Sequence, residues 1–227
     1  MDESAFRVPM LFDYAATLAW ATSGAVVGIR KGYDIVGVFV IALLSAVGGG
    51  LVRDGILLNR TPVFLIDAHY LPLIAATTVL ISVFTGPLTL LLKADTIRTL
   101  VEILDALGTP AFAAVGMQLA EDKGISTAGV IFVGVANGVS GGLLRDLVVG
   151  DVPVLLRPGQ FVTLTLVFAC GVFLVLRRYI SPTDAAWAMV GTFFLIRVVS
   201  VRFKWKSRPV VGPEAEGGPT AERGKVR

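Results

Sequence analysis

The sequence predicts an all-α integral membrane protein: seven transmembrane helices, arranged as two inverted three-helix repeats plus a seventh helix. Three observations lead there. Of 227 residues, 55% are hydrophobic and only 16% charged, where a soluble domain carries about 25% charged residues. So much apolar sequence exceeds what one small core can bury, and lipid is its natural solvent. Seven apolar runs follow one another along the chain. Two of them end in nearly the same segment, Gly48-Gly49-Gly50-Leu51-Val52-Arg53-Asp54 and Ser140-Gly141-Gly142-Leu143-Leu144-Arg145-Asp146.

The runs are taken in order. Residues 1–9 carry Asp2 and Glu3, unlike the basic start of a secretory signal. The first run, 11–29, contains Gly24 and Gly28 at a spacing that suits close helix contact, and Arg30-Lys31-Gly32 closes it. The second runs from Ile35 into the first glycine segment, and Asn59 to Pro62 read as a loop. The third, 70–92, is long enough to span, and Gly86-Pro87 is expected to kink or break it. Lys93, Asp95 and Arg98 mark a loop before the fourth run, 99–120, whose Glu102 and Asp105 are read as acids of a helix start. The fifth, 127–144, carries Gly134, Gly138 and Gly142. The sixth spans 161–176, closed by Arg177 and Arg178, and the seventh spans 185–201. From Arg202 the composition turns to Lys, Arg, Gly, Pro and Glu, which predicts a disordered basic tail.

The duplication extends beyond the glycine segment. A shift of 92 residues aligns 13–54 with 105–146 without a gap, and 15 of 42 positions are identical. The matches include Asp13/Asp105, Gly24/Gly116, Lys31/Lys123, Gly32/Gly124 and Gly37/Gly129. Each copy holds three runs, and three is odd, so the second copy enters from the opposite side; such repeats place a transport path at their interface. The chain divides into an N-terminal segment 1–11, a first repeat 12–93, a second repeat 94–178, a seventh helix 179–203 and a tail 204–227. Basic residues orient it. The loops are balanced, and Arg202, Lys204, Lys206 and Arg208 put the C-terminus in the cytoplasm and the N-terminus outside.

Glycines let a helix unwind or let a neighbour approach closely, and unwound backbone at membrane depth must be buried in protein or line a wet cavity. Gly48, Gly49, Gly50, Gly141 and Gly142 are therefore expected to break their helices, because charge follows at once. Arg53, Asp54, Arg145 and Asp146 are too costly to face lipid. They either lie on an ion path, with both arginines near the pseudo-twofold axis, or staple the repeats as structural ion pairs. Ser45, Asn137 and Ser140 complete the polar positions of these two helices. Asp13 and Asp105 are read as helix-start residues rather than ligands. Arg197, inside the seventh run, snorkels, pairs with an acid or meets headgroups. The tail cations serve as a topology signal or bind anionic lipid.

Other functions find no support. A net charge of +3 gives no reason to expect nucleic acid. One cysteine, Cys170, and one histidine, His69, offer neither an intramolecular disulfide nor metal-ligand spacing, so no metal and no cofactor is expected. Nothing near His69 looks like a nucleophile elbow, and it reads as an interfacial loop residue. No enzymatic motif is present.

Two three-run repeats, each with a Gly-Gly-x-x-Arg-Asp segment ending its second helix, plus a seventh helix, resemble the prokaryotic trimeric intracellular cation (TRIC) channel family. Some bacterial members of that family carry the name glycine transporter. The resemblance covers about residues 12–201. It implies a homotrimer with one pore per subunit, lined by the second and fifth helices and selective for monovalent cations, potassium and also sodium. The alternative is a carrier for a small solute such as glycine. Ser140 stands where the first copy has Gly48, and Asn137 where it has Ser45, so the two half-pores are chemically unequal.

Overall fold

A computed structural model describes residues 4–91, 93–156 and 162–203. Among these residues there is no strand. The long helices are α1 (Ser4–Arg30), α2 (Ile35–Gly50), α4 (Tyr70–Leu91), α5 (Ala94–Asp122), α6 (Thr127–Val148), α7 (Val162–Leu176) and α8 (Pro182–Arg202), with a short α3 (Val63–Ile66) before α4. Among the described residues, four stretches are long and apolar enough to cross a membrane: Ile35–Leu57, Ala94–Asp122, Thr127–Val148 and Pro182–Ser200. Tyr70–Phe84 and Val162–Leu176 are shorter apolar helices. The tail with Lys204, Lys206 and Arg208 lies outside the described residues, as does Arg157.

Local chemistry sets the turns, and it sets them twice. α1 ends at Gly32, whose φ of 73° suits a residue without a Cβ, and α5 ends at Gly124 with φ 69°. Asp34 then caps α2 by accepting from Gly37 N at 2.7 Å, and Ser126 caps α6 by accepting from Gly129 N at 3.4 Å. Three expected boundaries move. α1 begins at Ser4, inside the segment expected ahead of the first span, and α5 begins at Ala94, so Asp95 and Arg98 are helical. α4 runs on through Gly86-Pro87 to Leu91, and the expected break is absent.

At the centre, α1 packs on α5 and α2 crosses α6, so matching helices of the two halves meet. α4 lies against α1 and α2, and α7 against α8 and α6. The buried core is rich in small residues: Ala16, Ala21, Ala25, Ala42, Ala113 and Ala114 all lie inside it. Outward faces carry Val79, Leu80, Val83, Phe132, Leu164, Phe168 and Leu195, a belt suited to lipid.

The glycines of the two segments do not break their helices. α6 is α-helical through Gly141 and Gly142 to Val148. α2 continues through Gly48, Gly49 and Gly50 into a π-helical turn, Leu51–Leu57, so its winding widens without interruption. The glycines serve close approach instead. A Cβ on Gly49 would lie 2.3 Å from Asn137 O, and one on Gly141 would lie 2.3 Å from Ser45 O. These two contacts are the same contact 92 residues apart. Gly142 makes room for the Trp20 ring, whose nearest atom would be 2.7 Å away. Gly50 is different, since its Cβ would meet nothing nearer than Arg53 Nη2 at 3.8 Å.

Gly49→Ala or Gly141→Ala is therefore expected to lower thermal stability in detergent by about 1–3 kcal/mol, as overpacking does. Gly50→Ala should be neutral, or stabilising by up to about 1 kcal/mol through helix propensity. Equal melting of all three variants would refute the close-contact role.

Candidate functional site

Beyond the crossing, each helix delivers its arginine to a buried carboxyl cluster. Arg53 is 1% exposed. Its Nε and Nη2 donate to Asp54 Oδ1 and Oδ2 at 2.8 and 2.7 Å, a two-pronged pair between chain neighbours. Its Nη1 donates to Asp13 Oδ1 at 3.4 Å. The Tyr70 hydroxyl donates to Asp13 Oδ2. Asp54 also accepts from Val63 N at 3.2 Å and lies 3.6 Å from Arg60 Nε.

The second cluster repeats the plan with other supports. Arg145, also 1% exposed, donates from Nε to Asp146 Oδ1 at 2.9 Å and from Nη1 and Nη2 to Asp105 at 3.0 Å each. Asp146 accepts from Val154 N at 3.2 Å, as Asp54 does from Val63 N. Ser23, on α1, accepts from Arg145 Nη1 at 2.5 Å and donates to Asp105 at 2.8 Å. The Arg145 guanidinium lies 5.4 Å from the centre of the Trp20 ring. Each guanidinium thus faces two carboxyls, and every carboxyl is hydrogen-bonded, which is what burial of charge requires.

The clusters do not meet. Ser45 faces Gly141 while Gly49 faces Asn137, so α2 and α6 cross antiparallel and their C-terminal ends point apart. Arg53 and Arg145 lie some six residues past that crossing, roughly 9 Å to either side of it at 1.5 Å per residue. The expectation that they flank the pseudo-twofold axis is thereby corrected. Ser45, Asn137 and Ser140 occupy the crossing itself. Ser45 and Ser140 bond back to Ile41 O and Ala136 O, at 2.7 and 2.5 Å. Asn137 Nδ2 donates to Phe112 O, while its Oδ1 has no partner among the described residues.

Asp13 and Asp105 are not helix-start residues. Each stands well inside its helix, α1 or α5, as the second acid of a cluster. Their recurrence at the repeat spacing, inside apolar runs, was the signal for this. Tyr70, Ser23 and Trp20 carry no such signal, because none has an identical partner in the other copy. Beside the second cluster is a half-open cleft of about 40 Å³, bordered by Glu102, Asp105, Arg145, Asp146 and Arg197. It has room for a few waters among polar groups. His69 sits in the loop before α4, its side chain 85% exposed and its Nδ1 2.7 Å from Asp67 Oδ1. Asp67 is held below the ordinary carboxylate range, chiefly by the Tyr14 hydroxyl that donates to it and then by His69 N.

Removing one acid leaves a buried guanidinium short of a partner. Asp13→Ala and Asp105→Ala are each expected to cost about 3–5 kcal/mol of stability. Ser23→Ala, which removes a neutral hydroxyl, should cost about 1–3 kcal/mol. Thermal unfolding in detergent orders the three, and acid variants as stable as the parent would mean the clusters do not depend on both carboxyls.

Comparison with known proteins follows the same two halves. A family model described as Glycine transporter matches residues 10–86 and again 102–178. A UPF0126 membrane protein of Deinococcus radiodurans is 34% identical over 87% of this chain and 89% of its own. The UPF0126 inner membrane protein YadS of Escherichia coli is 27% identical over 86% of this chain and 92% of its own. Among solved structures, a prokaryotic TRIC channel superposes with a TM-score of 0.78 at 25% identity, covering 87% of this chain and 98% of that one. The TRIC trimeric intracellular cation channel orthologue from Rhodobacter sphaeroides gives 0.76 at 27% identity, over 86% and 98%. The twofold family match, the relatives and the shared fold agree: this chain is an all-α multi-pass membrane protein and belongs to the TRIC channel family.

Proposed function

We propose that this protein is a homotrimeric channel for monovalent cations, potassium and also sodium, with one ion path per subunit beside the crossing of α2 and α6. The observation that carries this reading is the pair of buried clusters, Asp13–Arg53–Asp54 and Asp105–Arg145–Asp146, on opposite sides of that crossing. Ionisable groups at membrane depth are expensive and mark ion pathways. Two carboxyls against one guanidinium draw a cation inward, and the guanidinium opposes its passage and keeps flux low. The likeness to TRIC channels supports the same reading.

The reading includes an architecture. Seven spans comprise inverted repeats 12–93 and 94–178 with a seventh helix 179–203, in the plasma membrane, N-terminus outside and C-terminus cytoplasmic. Support comes from contacts that recur 92 residues apart: the Gly32 and Gly124 turns, the Gly49 and Gly141 crossings, and the Arg53 and Arg145 clusters. With this topology a cysteine at Lys31 is labelled from the cytoplasm and one at Lys123 from outside, in a Cys170→Ala background; Cys170 is buried. Labelling of both from one face would remove the inversion.

Reconstitution in planar bilayers under a potassium gradient tests conduction. Unitary currents reversing near the potassium equilibrium potential are expected. Asp54→Asn and Asp146→Asn should lower conductance, and Arg53→Ala or Arg145→Ala should raise leak where the fold survives. Solute uptake, of glycine for instance, without unitary currents would replace the channel with a carrier. Unchanged current and selectivity in correctly assembled asparagine variants would remove the clusters from the path.

A further inference from the structure

The two clusters are supported unequally, and the difference leads to the surface. In the first half, two carboxylates each use both oxygens to pass a contact onward. Asp67 Oδ1 takes His69 N and Nδ1, at 2.9 and 2.7 Å, and its Oδ2 takes the Tyr14 hydroxyl. The Tyr14 ring lies 4.9 Å from the Tyr70 ring, centre to centre. Tyr70 donates to Asp13 Oδ2, and Asp13 Oδ1 takes Arg53. An exposed imidazole is thus joined, through Asp67, the tilted rings of Tyr14 and Tyr70, and Asp13, to a buried guanidinium. The sequence of the second half does not repeat these residues: 92 positions on stand Ala106, Gly159, Phe161 and Val162 in place of Tyr14, Asp67, His69 and Tyr70.

We propose that His69, Asp67, Tyr14 and Tyr70 form a proton-operated latch on one mouth of the molecule, holding the Asp13–Arg53 cluster closed when that face is acidic. This rests on the cluster lying on the ion path. The groups facing the latch are Asp67 and His69 in the loop, Tyr14 and Asp13 on α1, Tyr70 on α4, and Arg53, Asp54 and Arg60 at the π turn and after it. Histidine is the side-chain type whose ordinary charge change falls nearest neutral pH. Asp67 stays anionic there, its carboxyl held low by the Tyr14 hydroxyl and His69 N. A protonated His69 turns the contact with Asp67 Oδ1 into a charge-assisted one, without competing for the Oδ2 that holds Tyr14. Acid therefore fixes the Asp67 carboxylate in the orientation that holds the Tyr14 hydroxyl, and with it the Tyr14 ring against Tyr70. Loss of the proton weakens the first link. A proton can shift opening only by its differential affinity for the closed state, so the effect is graded.

The test is unitary current with pH stepped on one face at a time, between about pH 5.5 and pH 8, the window in which an imidazole titrates. Open probability should fall several-fold on acidifying the face that bears the Asp67–His69 loop, and should not respond to the other face. His69→Gln should conduct as the parent does at high pH and lose the response. A flat parent profile, or a response that survives His69→Gln, overturns the latch while leaving the channel intact. A second readout needs no conduction: the ¹⁹F resonance of 3-fluorotyrosine at position 14, assigned by its absence in Tyr14→Phe. It should shift over the same window in the parent and stay fixed in His69→Gln. If it does so in a protein without unitary currents, the proton-sensitive link from His69 to Tyr14 stands while the channel reading, and with it the closing of an ion path, falls. A resonance that ignores pH in the parent overturns the latch.

Discussion

Lipid offers no partner for charge, so every ionised group inside it must be answered by the chain itself. In this molecule that constraint falls on two arginines, and most of the architecture follows from answering them. Arg53 and Arg145 each take the aspartate that follows in sequence and a second aspartate from the first helix of the same half. A neutral hydroxyl joins each cluster, Tyr70 on Asp13 and Ser23 on Arg145 and Asp105. The backbone N–H groups of Val63 and Val154 close the remaining positions on Asp54 and Asp146. The register of α1 against α2, and of α5 against α6, is tied to these contacts. The small residues between them let the helices come close enough to make them.

Much of this was legible in the sequence. The shift of 92 residues, the two arginine–aspartate pairs, the turns at Gly32 and Gly124 and the all-helical membrane fold are visible because each is repeated or periodic. The function of the glycines was not. A glycine next to charge suggests a break, but Gly49 and Gly141 face backbone oxygens of the opposing helix, and that fact exists only when both helices are in place. Asp13 and Asp105 were misread for a related reason. An acid early in an apolar run suits a helix dipole, and only tertiary packing brings it to an arginine 40 residues away. Tyr70 and Ser23 perform matching tasks at unmatched positions, so no internal comparison reveals them.

The departures from symmetry are concentrated outside the crossing. There, Gly49 on Asn137 and Gly141 on Ser45 are near copies of each other. Farther out, one arginine lies within a π turn and its cluster is supported by a tyrosine of its own half, while the other lies in regular α-helix and is supported by Trp20 and Ser23 of the opposite half. One cluster connects to an exposed loop and the other borders a small cleft. Duplication supplied two equal frames, and the residues that border them make the two ends chemically distinct.

The direct succession of arginine and aspartate also matters during synthesis. A charged residue at the centre of an inserting helix costs about 2.5–3.5 kcal/mol on insertion scales. Arg53 with Asp54, and Arg145 with Asp146, leave the ribosome as neighbours able to neutralise one another before any other helix arrives. The first cluster draws all its partners from the chain up to Tyr70 and can be completed while the second half is still being made. The second also takes contacts from Trp20 and Ser23, which are made before it in the chain. The order in which the nascent chain is translated is thus the order in which its buried charges can be satisfied.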